Sequence, residues 1–208
     1  MNRDIAGIIL AGGQSRRMGG GDKSLLALGG RCVLDHVVAR LAPQVGPLAL
    51  SANGDPTRFA KFGLPVLADT VEGYAGPLAG ILAGLEWASM ACSVVVTVAG
   101  DTPFFPEDVV GRLAAVVKER PGAIAVASSG GKRHPTFALW PLGLHDPLRR
   151  FLVNEDNRRV FAFIERHGFV DVEFPMWNSG GHEIDPFFNI NTPDDLAEAE
   201  RLLQTMRP

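Results

Sequence analysis

The chain has 208 residues, 46% of them hydrophobic, with 20 Lys plus Arg against 23 Asp plus Glu and a formal net charge of −3. That apolar content is too high for a disordered chain and suits one sizeable core. The near-neutral balance argues against a general nucleic-acid binder, which carries a marked positive charge, and no apolar run is long enough to span a bilayer.

The pattern alternates short apolar runs with amphipathic segments, which predicts an α/β fold built on a mostly parallel sheet. Ile5 to Ala11 reads as a buried first strand, and the Gly-rich segment from Gly12 to Gly21 as the loop that leaves it. Residues 1–13 lack the apolar core and cleavage site of a secretion signal, so a cytoplasmic location is expected. Val33 to Leu41 reads as a helix, with Asp35 near its start, where a carboxylate suits the dipole. Pro47 to Ala52 reads as a strand, Phe59 to Phe62 as a short helix and Val66 to Leu67 as a further strand. Leu78 to Met90, introduced by Gly76-Pro77, reads as a helix. Ser93 to Ala99 is a run of β-branched and small residues, as in a central buried strand. Pro106 opens a helix from Glu107 to Lys118.

Ile124 to Ser128 and Thr136 to Trp140 read as strands flanking a turn at Gly130-Gly131. Pro147 to Val153 and Arg158 to His167 read as helices, and Phe169 to Phe174 and Phe187 to Ile190 as strands. Asn178 to His182 looks like loop. Thr192-Pro193 caps a last helix running to about Met206. The length predicts one domain over residues 1–208. Cys32 and Cys92 fit neither a metal spacing nor a disulfide framework, which agrees with a reducing compartment.

Three segments carry chemistry. In the first, a strand ends at Leu10-Ala11 and a loop with five glycines, Arg16, Arg17 and then Lys23 follows. Glycine lets the backbone turn sharply and offer its amides to phosphate oxygens, and the three cations suit a triphosphate. The spacing is neither that of a Walker A loop nor of the dinucleotide fingerprint; a solvated turn with charges facing water is the bland alternative. The second segment ends the Ser93–Ala99 strand with Gly100-Asp101-Thr102-Pro103. The C-terminal edge of a parallel sheet is where ligands bind, and one Asp there can hold Mg²⁺, with water and phosphate oxygens completing the octahedron. A turn cap before Pro103 is the simpler role for the same residue. Asp69, after the Val66–Leu67 strand, is placed alike. In the third segment, Asn189-Ile190-Asn191-Thr192-Pro193, alternation points Asn189 and Asn191 to one face, where they could serve the metal or an acceptor phosphate; Asn191 could equally cap the last helix.

The run Leu10-Ala11-Gly12-Gly13-Gln14-Ser15-Arg16-Arg17-Met18-Gly19, closing on Asp22-Lys23, resembles the signature of nucleotidyltransferases with a three-layer, Rossmann-like fold. The version with Gly12-Gly13 is similar to the molybdenum cofactor guanylyltransferase family. Ser51-Ala52-Asn53, Asp69, Gly76-Pro77-Leu78-Ala79-Gly80, Gly100-Asp101-Thr102-Pro103, His134-Pro135-Thr136 and Asn189 to Pro193 agree in order. The likeness is weakest between Ala138 and Pro186.

The resemblance implies a nucleotide-binding half to about residue 105 and an acceptor-binding half from about 106. It implies that Leu10, Ala11, Gly12 and Gly13 meet guanine and ribose through the backbone. Arg17 and Lys23 would hold the triphosphate, Asn53 and Asp69 recognise the nucleoside, and Asp101 bind Mg²⁺. Asn189 and Asn191 would lie near the reaction centre. His134 and Arg158 are candidates for the acceptor's phosphate, with solvated charges the plain alternative. Gly12 stands where related cytidylyl enzymes often carry alanine, and the missing methyl would leave room for a purine edge. The implied substrates are GTP and molybdopterin or molybdenum-molybdopterin, with cofactor-biosynthesis proteins and recipient molybdoenzymes as further partners. The rivals are cytidylyl transfer to the same pterin, transfer to a sugar phosphate, and a non-catalytic binding module.

Overall fold

The computed structural model describes residues 4–12, 22–71, 73, 76–89, 92–155, 159–179 and 181–205. Its centre is a seven-stranded sheet. In chain order its strands are β1 (Ile5–Leu10), β4 (Leu48–Ser51), β5 (Val66–Leu67), β6 (Val94–Ala99), β7 (Ile124–Ser129), β8 (Lys132–Pro141) and β9 (Phe169–Phe174). The spatial order is β5-β4-β1-β6-β8-β7-β9, and every strand is parallel except β8, which returns antiparallel from β7 across the Gly130-Gly131 turn. The fold is the expected three-layer α/β arrangement.

Side-chain alternation explains the layers. On β1, Ile5 and Ile9 face one core and Ala6 and Ile8 the other. The first core is closed by α1 (Val33–Leu41), through Leu34, Val37 and Leu41, and by α3 (Val109–Glu119), through Val109, Val110 and Leu113. The second is closed by α2 (Pro77–Ala88), α4 (His145–Asn154) and α5 (Val160–His167). α2 is buried on nearly every face, so its sequence is apolar all round rather than striped. Within this core Thr97 is paired, donating to Thr136 O at 2.9 Å and accepting from Trp140 Nε1 at 2.9 Å. No helix among the described residues is long and apolar enough to cross a membrane.

A third, smaller cluster joins α6 (Pro193–Thr205) to a hairpin that the sequence pattern did not predict, β2 (Ala27–Leu28) and β3 (Arg31–Cys32). α6 starts where expected: the Asp195 amide donates to Thr192 Oγ1 at 3.2 Å, and the Asp195 carboxylate accepts from the Thr192 amide at 2.8 Å. β10 (Trp177–Ser179) and β11 (His182–Ile184) pair antiparallel as a second unpredicted hairpin. The predicted strand Phe187–Ile190 pairs in no ladder; it begins in a turn at Pro186-Phe187. It is tied by backbone bonds outside the sheet, Phe188 N–H to Asp185 O at 3.0 Å and Ile190 N–H to Asp101 O at 2.9 Å.

Candidate functional site

β1 and β6 are parallel neighbours with Leu10 opposite Ala99, so the residues that follow them leave the sheet side by side. Gly100 makes this possible: its amide bonds Leu10 O at 3.0 Å, and a Cβ there would stand 3.1 Å from that oxygen and 3.2 Å from Ala11 Cα. A cleft of about 230 Å³ opens at this C-terminal rim. Leu10, Ala11 and Gly12 line it from the end of β1 and Gly100 and Asp101 from the end of β6, together with Lys23, Ser24, Gly76 and Pro77. Thr136 and Asn189 complete it. Thr136 reaches the rim through an irregularity in β8, where the pairing with β7 jumps from Ala138 to His134 around Pro135, which has no N–H to give.

The structure therefore brings together Lys23, Asp101, Asn189 and Asn191, which lie as far as 168 positions apart in sequence. Lys23 Nζ donates to Asn191 Oδ1 at 2.7 Å, and Asn189 Nδ2 reaches Asp101 Oδ1 at 3.3 Å. Burial pushes the Asp101 carboxyl above the ordinary carboxylate range, and the charge of Lys23 brings it part of the way back. The arrangement offers one ammonium and one largely buried carboxylate at a single opening, which suits an anion together with a cation.

Asn53 and Asp69 form a reciprocal pair at the ends of β4 and β5. Asn53 Nδ2 donates to the Asp69 carboxylate at 2.7 Å, and the Asp69 amide donates to Asn53 Oδ1 at 2.9 Å. Burial raises the Asp69 pKa and the bond from Asn53 opposes it. Gly12 connects this pair to the cleft: a Cβ on it would lie 3.6 Å from Ala52 Cα and 4.0 Å from the Asn53 amide, open enough to accept a methyl.

His134 does not line the cleft. It is 5% exposed, bonded through Nε2 to Ser129 Oγ at 2.7 Å and stacked on Phe187 at 4.5 Å. Ser129 Oγ also donates to Asp185 at 2.7 Å, so the imidazole braces the chain that leads to Asn189 rather than presenting a charge to solvent. Burial lowers its pKa, which keeps it neutral near pH 7. Gly13, Arg17 and Arg158 lie outside the described residues.

Sequence reasoning missed Arg58. Its guanidinium donates to the Asp22 carboxylate, to Asp55 O and to Asn53 O, and it covers the Phe59 ring. It thereby fastens the residue before Lys23 to the Asn53 segment. A lone arginine in a polar stretch gives no signal of this, because Asp22 is 36 positions away. Ser24, too, drew no attention beside Lys23.

Known proteins similar to this chain point to one family. The MobA-like NTP transferase domain matches residues 7–170. A protein from Mesorhizobium japonicum named molybdenum cofactor guanylyltransferase is 70% identical over 99% of both chains. One of the same name from Bradyrhizobium sp. is 51% identical over 95% of this chain and 92% of its own. Among solved structures, molybdopterin-guanine dinucleotide biosynthesis protein A from Archaeoglobus fulgidus superposes with a TM-score of 0.74 at 23% identity, over 97% of this chain and 100% of its own, which speaks to the fold.

Proposed function

Since the chain belongs to the molybdenum cofactor guanylyltransferase family of MobA-like nucleotidyltransferases, we propose that it transfers GMP from GTP to the phosphate of molybdopterin, metal-loaded or not. The observation that carries the reading is the convergence of Lys23 and Asp101 on one cleft at the strand ends.

In this reaction an oxygen of the acceptor's phosphate attacks the α-phosphorus in line. The new P–O bond forms as the bond to the β-phosphate breaks, and pyrophosphate leaves with its electron pair. The attacking oxygen is already anionic, so no general base is needed; the barrier is repulsion between two anions. Lys23, with Arg17 of the glycine loop, offsets that charge and aligns the triphosphate. The backbone at Leu10, Ala11, Gly12 and Gly13 and the Asn53–Asp69 pair receive the nucleoside. Gly12 favours guanine by leaving room for a purine edge. Asn189, Asn191 and Arg158 meet the acceptor, and His134 contributes by bracing the chain that carries Asn189.

The donor set fits Mg²⁺ held jointly with substrate. Among the described residues no three His, Cys, Asp or Glu side chains gather as a metal site, so Asp101 would be the protein's ligand and water and phosphate oxygens the rest. Such an ion would neutralise and orient the phosphates. A GTP donor places the reaction in the cytoplasm, with cofactor-biosynthesis proteins and recipient molybdoenzymes as the partners that deliver the pterin and take the product.

The test is pyrophosphate release by the purified chain with molybdopterin and GTP, CTP or ATP, with a sugar phosphate as rival acceptor. Turnover is expected with GTP and the pterin. Preference for CTP, or for the sugar phosphate, would replace the assignment within the same chemistry. Tight GTP binding with no pyrophosphate released would make the protein a carrier.

A further inference from the structure

Ser24 lines the cleft immediately after Lys23, within the short 3₁₀ turn Lys23–Leu25. It is 3% exposed, and its hydroxyl oxygen is buried with no hydrogen-bond partner among the described residues. Three other buried hydroxyls are firmly paired: Thr97 with Thr136 O at 2.9 Å, Ser128 with Glu173 at 2.6 Å, and Ser129 with Asp185 at 2.7 Å. A buried hydroxyl without a hydrogen bond is costly to the fold, so alanine would suit the free fold better at this position. The unpaired hydroxyl makes sense if its partner arrives with the ligand.

Resting on the transfer reading above, we infer that Ser24 Oγ donates a hydrogen bond to a phosphate oxygen in the loaded cleft. The neighbours define the class of acceptor. The adjacent Lys23 ammonium is bonded to Asn191 and acts electrostatically on Asp101, so an anion drawn to it comes to rest beside Ser24. A base edge asks for paired donors and acceptors, which Asn53 and Asp69 can offer from the ends of β4 and β5. A single hydroxyl beside an ammonium suits phosphate instead. A χ1 rotation between staggered wells re-aims the hydroxyl without moving the backbone. The nucleotide and the acceptor both carry phosphate, and the test separates them.

The experiment is titration calorimetry of the full chain with GTP, GMP and inorganic pyrophosphate in the presence of Mg²⁺. It is joined by the steady-state KM for molybdopterin and by thermal melts of the free proteins. Wild type is compared with Ser24→Ala and with Ser24→Cys, whose slightly larger thiol is only a weak donor. The free variants should melt at or above wild type, and a phosphate ligand should weaken about tenfold or more, as for a lost bond to a charged group. A rise in Kd for GTP and pyrophosphate alone puts the bond on the outer phosphates, and a rise for GMP as well puts it on the α-phosphate. A rise confined to the KM for molybdopterin puts it on the acceptor. Affinities and KM all within twofold of wild type overturn the inference. So does weaker binding accompanied in both variants by a lower melting temperature, because the hydroxyl would then serve the fold. Should the wild type bind GTP and release no pyrophosphate, the transfer reading falls while a Ser24-dependent Kd still stands.

Discussion

Replacing Asp101 with asparagine keeps the shape of the side chain and removes its charge. In the fold, burial holds this carboxyl above its ordinary range and Lys23 offsets only part of the cost. A raised folded pKa means that the fold prefers the neutral form. The favourable contribution is complete at pH below the unfolded value and is lost as pH rises through the folded one. Near pH 7 the ionised Asp101 therefore burdens the free protein. Its side-chain contacts, 3.3 Å to Asn189 and 3.4 Å to Thr102, are long and return little. Asp101→Asn should thus leave stability unchanged or raise it by about 1 kcal/mol, which for a chain of this size is about 2–4 °C in Tm. That advantage should shrink as the pH is lowered towards 4. GMP transfer should move the other way, falling by about 10²–10³-fold, as when one group that stabilises developing charge is removed. Pyrophosphate release at saturating GTP, beside thermal melts at acidic and neutral pH, measures both. Turnover within tenfold of wild type, or a Tm more than about 4 °C lower at neutral pH, would refute the reasoning.

Lys23→Ala should raise the KM for GTP and lower kcat. The combined loss is about 10–100-fold in kcat/KM, the worth of a charge-assisted bond, with melting little changed because the Lys23 bond to Asn191 is solvent-exposed. Gly12→Ala should fold normally, since the added methyl meets only ordinary contacts at 3.6 Å, and should shift the GTP-to-CTP turnover ratio towards CTP. Arg58→Ala leaves the Asp22 carboxylate and two carbonyls without their partner. It should cost about 1–3 kcal/mol in urea unfolding and raise the KM for GTP. Gly80→Ala would place a Cβ 2.3 Å from Ser51 Oγ and 3.1 Å from Leu10 Cδ2. The push on α2 should cost about 1–3 kcal/mol, read as a lower Tm.

The large elements were legible because their periods are long enough to register. α1 and β9 fall on the predicted residues, and β1, β4 and β6 within one or two of them. The two hairpins were missed because strands of two or three residues carry no period. The turn signal was nevertheless present in Gly29-Gly30 and in Gly181, all at positive φ. Phe187–Ile190 misled in the opposite sense: its apolar residues are buried by aromatic packing, as Phe187 is against His134, Phe137 and Phe174, without a strand partner. The meeting of Lys23 with Asp101 could be argued from strand ends and glycines, since both positions follow short parallel strands. Arg58 and Ser24 could not, because what distinguishes them is a partner brought from afar in one case and a missing partner in the other.

The most direct measurement is a crystal structure of the full chain with Mg²⁺ and a GTP analogue whose α–β bridge resists cleavage. The triphosphate should lie between Lys23 and Asp101, with guanine against Gly12 and the Asn53–Asp69 pair. A nucleotide bound with its phosphates away from either Lys23 or Asp101 would contradict the proposed transfer.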